Sequence, residues 1–299
     1  MTSRVGDFAQ QAFLTRALQT TQSRMRETQM EIASGKRARS FDRIAADVPL
    51  LLSTRYDRTL NAGRIRQNEH VIDRMQAMDG SLESLSRIAD RARTLLVQRL
   101  SDGVGADVPL DAEFDAMLEE IESRLNLRLD GRYLFAGSRT DTRPVAIPDP
   151  PPVTADSSLY YSGDDVELEV QADDGVEIAY GIPASDPAFA RLIGALGLGR
   201  QAHLVNDRSD LETALTQLTG AIDELADLRS ELGAERSRLE AIIEVQRGDE
   251  VYLAEIVSEM EDVDLPEALS RLARDRTALE AAYLAVSRIS QLSIADYLR

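Results

Sequence analysis

Two stretches at opposite ends of the chain share one rhythm of apolar and polar positions. Toward the C-terminus, Leu265, Leu269, Leu272, Arg276, Leu279, Tyr283, Val286, Ser290, Ser293 and Tyr297 follow one another at alternating steps of four and three. This is the seam of a coiled coil rather than the broad stripe of a globular helix. Ala282 and Ile289 lie beside the seam and widen it. Toward the N-terminus, within residues 7–34, Leu14, Leu18, Thr21, Met25, Thr28 and Ile32 keep the same steps. Ser34-Gly35 ends that helix, and Lys36, Arg37 and Arg39 place cations against its C-terminal dipole. A lone helix cannot bury such a seam, so each needs a partner. The pattern predicts that the two ends pair; a single solvated helix is the alternative for 7–34. Thr21, Thr28, Ser290 and Ser293 leave the seams only half apolar, so an isolated pair is expected to be weak. Residues 1–40 and 265–299 are therefore predicted to order fully only on assembly.

Between the ends, the rhythm predicts more long helices. Residues 40–58, with Pro49 and the apolar Leu50–Leu52, read as a connector. A helix is predicted from about Thr59 to Leu100, with Met75, Met78, Leu82, Leu85, Ala89, Ala92 and Leu96 as its core seam. The turn SDGVGADVP at 101–109 leads to a shorter helix, Asp111 to Leu129, carrying Phe114, Leu118, Ile121, Leu125 and Leu129. After Asp130-Gly131 the character changes. Residues 147–153 hold four of the ten prolines and cannot be helix. Leu159–Tyr161, Val166–Val170 and Val176–Tyr180 read as short strands, with Asp173-Asp174-Gly175 a hairpin turn. Asp186-Pro187 opens a short helix to Leu196. After a glycine loop at 194–200, Leu211, Leu215, Leu218, Ile222, Leu225, Leu232, Leu239 and Ile243 carry a long helix. Gly248-Asp249 is a candidate break, and Asp264-Leu265-Pro266 caps the last helix. The fold expected is mainly α: long coiled-coil-like helices from both ends packed together, with a small β-rich domain inserted. The corresponding division is 1–40 plus 265–299, 41–137 plus 206–264, and an inserted 138–205.

Composition removes several function classes. The net charge of −18 argues against nucleic acid and against an anionic membrane surface. With no Cys there is no disulfide, thiolate metal site or thiol nucleophile. No apolar run reaches the roughly 20 residues of a membrane span. MTSRVGDFAQQAF has no signal core, so export, if it occurs, is expected to use an uncleaved N-terminus.

Catalytic constellations are missing. There is no GxSxG, no GxxxxGK[ST] and no HExxH. His70 sits in a polar helical stretch and His203 is expected in a loop, neither with an acid partner close in sequence. Glu119-Glu120 reads as a helix surface. Asp164-Asp165 fits no calcium loop and reads as turn chemistry. No catalytic residue, metal or cofactor is therefore expected, and no enzyme activity.

Three segments carry a family resemblance. Glu31-Ile32-Ala33-Ser34-Gly35-Lys36-Arg37 resembles the SGKR segment ending the first terminal helix of the flagellin superfamily. Tyr133-Leu134-Phe135-Ala136-Gly137, within GRYLFAGS, resembles the YLFAG segment of its hook-associated protein 3 family, the hook–filament junction proteins. Ser287 to Leu298 resembles the superfamily's C-terminal signature. The run ARSFDRIAADVPLLLS departs from the common pattern, with single Asp42 and Asp47, and looks like an alphaproteobacterial variant. The resemblance implies a secreted axial subunit of the bacterial flagellum, exported unfolded without a cleaved signal peptide. Its implied partners are copies of itself, the adjacent hook-associated protein, flagellin and an export chaperone. A short flagellin forming the filament itself is the alternative. The assembly interface expected comprises Leu14, Leu18, Met25 and Ile32 with Leu269, Leu272, Leu279, Tyr283, Val286, Ile289 and Leu292.

Overall fold

The computed structural model describes residues 2–37, 48–101 and 109–297, with side chains of 2–11, 14 and 288–297 not described. The turn at 102–108, Arg39, Asp42, Asp47, Leu298 and the side chains of Leu14, Ile289 and Leu292 thus lie outside the described residues. The chain is mainly helical. Its elements are α1 (Thr2–Ser34), α2 (Val48–Leu100), α3 (Leu110–Leu125), β1 (Arg128–Leu129), β2 (Arg132–Tyr133), β3 (Glu169–Asp173), β4 (Val176–Ala179), α4 (Pro187–Val205), α5 (Arg208–Glu261) and α6 (Leu265–Tyr297). They form two compact units, a terminal one of residues 1–60 and 250–299 and a central one of residues 61–249.

In the terminal unit α1 and α6 pack against each other. Gln22 Nε2 donates to Tyr283 Oη at 2.6 Å, and Arg271 Nη2 donates to Glu31 Oε2 at 3.2 Å, which fixes an antiparallel pair. The first turns of α2 also belong here, with Leu51 and Thr54 buried and Arg58 paired to Glu250 of α5 at 2.8 Å. The expected connector 40–58 is therefore helix from Val48 onward. Pro49 falls in the first turn, where a missing N–H costs nothing and its fixed φ suits the helix.

The central unit is built on the antiparallel run of α2 with α5, marked by Arg229–Asp79 at 2.9 Å and Arg247–Glu69 at 2.8 Å. Met75, Met78, Leu82, Leu85, Ala89, Ala92 and Leu96 are all buried, as are Leu211, Leu218, Leu225, Leu232, Leu239 and Ile243. Gly248 does not break α5. It lies on an open surface with no atom near its missing Cβ, and one Gly costs a long helix only about 1 kcal/mol.

Three further expectations change. α3 ends at Leu125, not Leu129. Asn126 caps it by donating from Nδ2 to Glu122 O at 2.8 Å, and Asp130 (φ 51°) with Gly131 (φ 78°) turns β1 back onto β2. Two left-handed residues are what a type I′ hairpin requires. Second, α4 does not stop at Leu196 but runs through the glycines to Val205, so His203 is helical. Gly194, Gly197 and Gly199 are there for packing. A Cβ on Gly197 would lie 2.0 Å from Pro152 O, and one on Gly194 2.4 Å from Thr154 O. The proline strap at 151–155 thus lies directly on the helix. Third, Leu159–Tyr161 forms no strand. Tyr161 makes an isolated bridge to Val145, and the regular ladder of β3 with β4 begins only at Glu169, because Leu168 O accepts from both Tyr180 and Gly181.

Candidate functional site

The terminal helices meet at a small clasp. Gly35, at φ +70°, turns the chain out of α1, a conformation that favours glycine. Lys36 then forms an antiparallel bridge with Asp262, at the joint between α5 and α6. Arg37 N donates to Glu261 O at 2.7 Å and Val263 N to Gly35 O at 3.0 Å. Lys36 Nζ reaches Asp262 Oδ1 at 2.6 Å and Glu261 Oε2 at 3.3 Å. Ser258 donates to the other oxygen of Asp262, and Arg55 pairs with Glu261. Ser34 Oγ donates to Glu31 O and accepts from Lys36 N. The hydrogen bond to Lys36, joined by that from Ser258, holds the Asp262 carboxyl below its ordinary range. The bond to Asp262 likewise raises the Lys36 ammonium. Both groups are largely exposed, so the clasp serves register more than stability.

The predicted seam residues fall into two sets. Leu18, Met25, Ile32, Leu272, Leu279 and Val286 are partly buried and Thr28 is buried, as is Ala268, which the expected seam did not include. Leu269 and Tyr283 remain 54% and 50% exposed, joined by Leu265, Leu284 and Phe13. A polar groove crosses the pair, lined by Arg24, Glu27, Thr28, Glu31, Arg271, Arg274 and Asp275. Sequence reasoning missed Ser258, Glu261 and Asp262. The available signal was opposite charge: cations just past α1, carboxylates at the end of α5.

The second motif is core, not surface. Leu134, Phe135 and Ala136 are buried, and Phe135 stacks edge-on against Phe189 of α4 at 6.0 Å. Ala184 N donates to Phe135 O and Tyr133 N to Thr140 O, both at 2.8 Å. Gly137, at φ +65°, lets Asp164 approach so closely that a Cβ would sit 2.2 Å from its carbonyl. Asp164 in turn accepts from Ser138 N and Oγ, and that hydroxyl, with the Ser138 amide, lowers the pKa of its carboxyl. Of the pair Asp164-Asp165, it is Asp164 whose carboxylate is thus engaged, with Ser138 and the Val166 amide. Tyr160, buried, donates to Ala184 O at 2.8 Å. His70, exposed, comes within 3.7 Å of Asp130 through the fold rather than the sequence. Among the described residues no group of three or more His, Asp or Glu is placed to hold a metal. Among them, too, no helix is long and apolar enough to cross a membrane.

Two regions of the chain match known family models. Residues 8–140 match the bacterial flagellin N-terminal helical region, and residues 215–298 match the bacterial flagellin C-terminal helical region. A flagellin of Bacillus subtilis (strain 168) is 23% identical over 238 residues, covering 76% of each chain. The fold is similar to that of a Vibrio parahaemolyticus protein assigned as a flagellar hook-associated protein, with a TM-score of 0.60 and 15% identity over 74% of this chain and 100% of that one. It is also similar to the flagellar junction protein FlgL of Legionella pneumophila, with a TM-score of 0.50 and 12% identity over 72% of this chain and 98% of that one. The two matched regions together span more than half of the sequence, and their ends are the helices that the clasp joins. The chain belongs to the bacterial flagellin family.

Proposed function

We propose that this chain is a structural subunit joining the flagellar hook to the filament, assembling through its two terminal helices. The state of the α1–α6 pair carries the reading. Two helices of 33 residues each cover one another along a single face. Leu269, Tyr283 and Leu284 of the second are left half exposed or more. Apolar side chains left exposed at Leu265, Leu269, Tyr283 and Leu284 of one helix support an interaction surface there. Burial on assembly would offset the cost of ordering the ends. The likeness in fold to a flagellar junction protein supports the junction in particular. The Bacillus subtilis relative favours a second reading, a short flagellin forming the filament, which differs in copy number rather than in kind.

On this reading the subunit leaves the cell unfolded, without a cleaved signal peptide, and is held by an export chaperone. It then contacts copies of itself, the adjacent hook-associated protein and flagellin. Its work is packing, with no catalytic step. Residues 1–40 with 265–299 form the assembly domain, 41–137 with 206–264 the helical core and 138–205 the outward insertion. Deletion of the gene tests the role. The junction reading expects hooks without filaments and flagellin shed into the medium. Intact filaments on the hooks of deleted cells contradict it.

A further inference from the structure

Charge is divided unevenly between the two units. Residues 61–249 hold 19 Lys and Arg against 36 Asp and Glu, a net −17, whereas residues 1–60 and 250–299 together hold 15 against 16, a net −1. Within the near-neutral unit the signs are segregated. Residues 1–60 carry 10 cations and 6 anions; residues 250–299 carry 5 and 10. Some of this is matched inside the chain, by Lys36–Asp262, Arg55–Glu261, Arg58–Glu250 and Arg271–Glu31.

Other charges are not matched there. Arg16, Arg24 and Arg26 are exposed on α1, and among the described residues none of them forms an ion pair. Arg24 donates only to Thr21 Oγ1 and Arg26 only to Gln22 O. Glu255 and Glu259 on α5 and Glu267 on α6 are exposed, and their carboxylates are likewise outside every ion pair among the described residues. The fold keeps the two sets apart. The carboxylates cluster about the clasp, where Asp262 meets Lys36. The arginines lie 10 to 20 residues back along α1, about 15–30 Å at the rise of an α-helix. No side chain spans that distance.

We propose that a second copy of this chain, displaced along the axis of α1, covers these faces. Arg16, Arg24 and Arg26 of one copy then meet Glu255, Glu259 and Glu267 of the next. A purely basic or purely acidic partner would satisfy one set and leave the other, whereas a staggered copy satisfies both. The attraction also opposes the mutual repulsion of central units at net −17. This inference rests on the reading that the chain self-assembles through its terminal helices.

Two full-length variants test it in cells deleted for the gene. One carries Arg16→Glu, Arg24→Glu and Arg26→Glu; the other carries Glu255→Arg, Glu259→Arg and Glu267→Arg. Each alone places like charges across every copy-to-copy contact and is expected to lower filament attachment about tenfold or more. Expressed together they alternate, with opposite charges at each contact, and attachment returns. Pairing within a chain is not repaired by mixing, so rescue assigns the contact to different copies. Circular dichroism checks that each variant keeps wild-type helix content; if one does not, Arg24→Glu and Glu259→Arg replace the triple changes. Full attachment by either variant alone, or no rescue by folded variants together, overturns the inference while the wild-type gene still restores filaments. If deleted cells keep their filaments, the junction reading itself fails, and the same variants are then scored by incorporation into purified flagella.

Discussion

Asp262 shows how one side chain can tie distant parts of the sequence. It receives Lys36 on one oxygen and Ser258 on the other, beside two backbone hydrogen bonds that join Gly35 and Arg37 to the α5–α6 joint. Because its pKa is lowered in the folded chain, its contribution is present above the ordinary carboxylate value near 4 and is lost as pH falls through the folded value. Lys36, whose pKa is raised, contributes below its ordinary value and loses that contribution only as strongly alkaline pH passes the folded one. The Lys36–Asp262 ion pair therefore keeps both charges across neutral pH and loses its anion in acid. Amide-exchange protection of Arg37 and Val263 is expected to fall below about pH 4, and Asp262→Asn is expected to weaken protection at neutral pH and flatten its acid dependence. Protection unchanged by acid and by the substitution would contradict this role.

At the scale of elements, α1 and α6 differ from the helices they flank. The seam of α2 from Met75 to Leu96 is buried throughout, while that of α6 is divided, with Leu272 and Leu279 partly covered and Leu269 half exposed. Leu279→Asp is expected to abolish assembly, since a carboxylate there must be desolvated at a cost of several kcal/mol when copies pack. It should shift the thermal unfolding of the central unit by less than about 0.5 kcal/mol. Normal filament attachment by this variant would refute the seam. The helices were legible in the sequence because a four-three rhythm over many turns has few alternatives. The extension of α4 through Gly194, Gly197 and Gly199 was not. Glycines read as a loop until the strap they accommodate is known, and Pro152 lies more than 40 residues away. The β1–β2 hairpin was hidden for a related reason. Asp130-Gly131 gives the turn, but strands of two residues carry no periodicity. The clasp needed Lys36 and Asp262 to be brought together across 226 positions, which no local pattern reports.

For the whole molecule, the two units do different work. The central one closes its own core, with Phe135, Phe189, Tyr160 and the α2–α5 seam buried. The terminal one leaves apolar and charged faces open at both ends of the chain. A subunit built this way can hold a folded body while its ends wait for neighbours. Its place in the flagellum is tested most directly by labelling intact flagella with an antibody raised against the central unit and locating the label by electron microscopy. The account predicts a single narrow band where hook meets filament. Label along the full filament would assign the chain to the filament instead, and flagella that carry no label would contradict the account altogether.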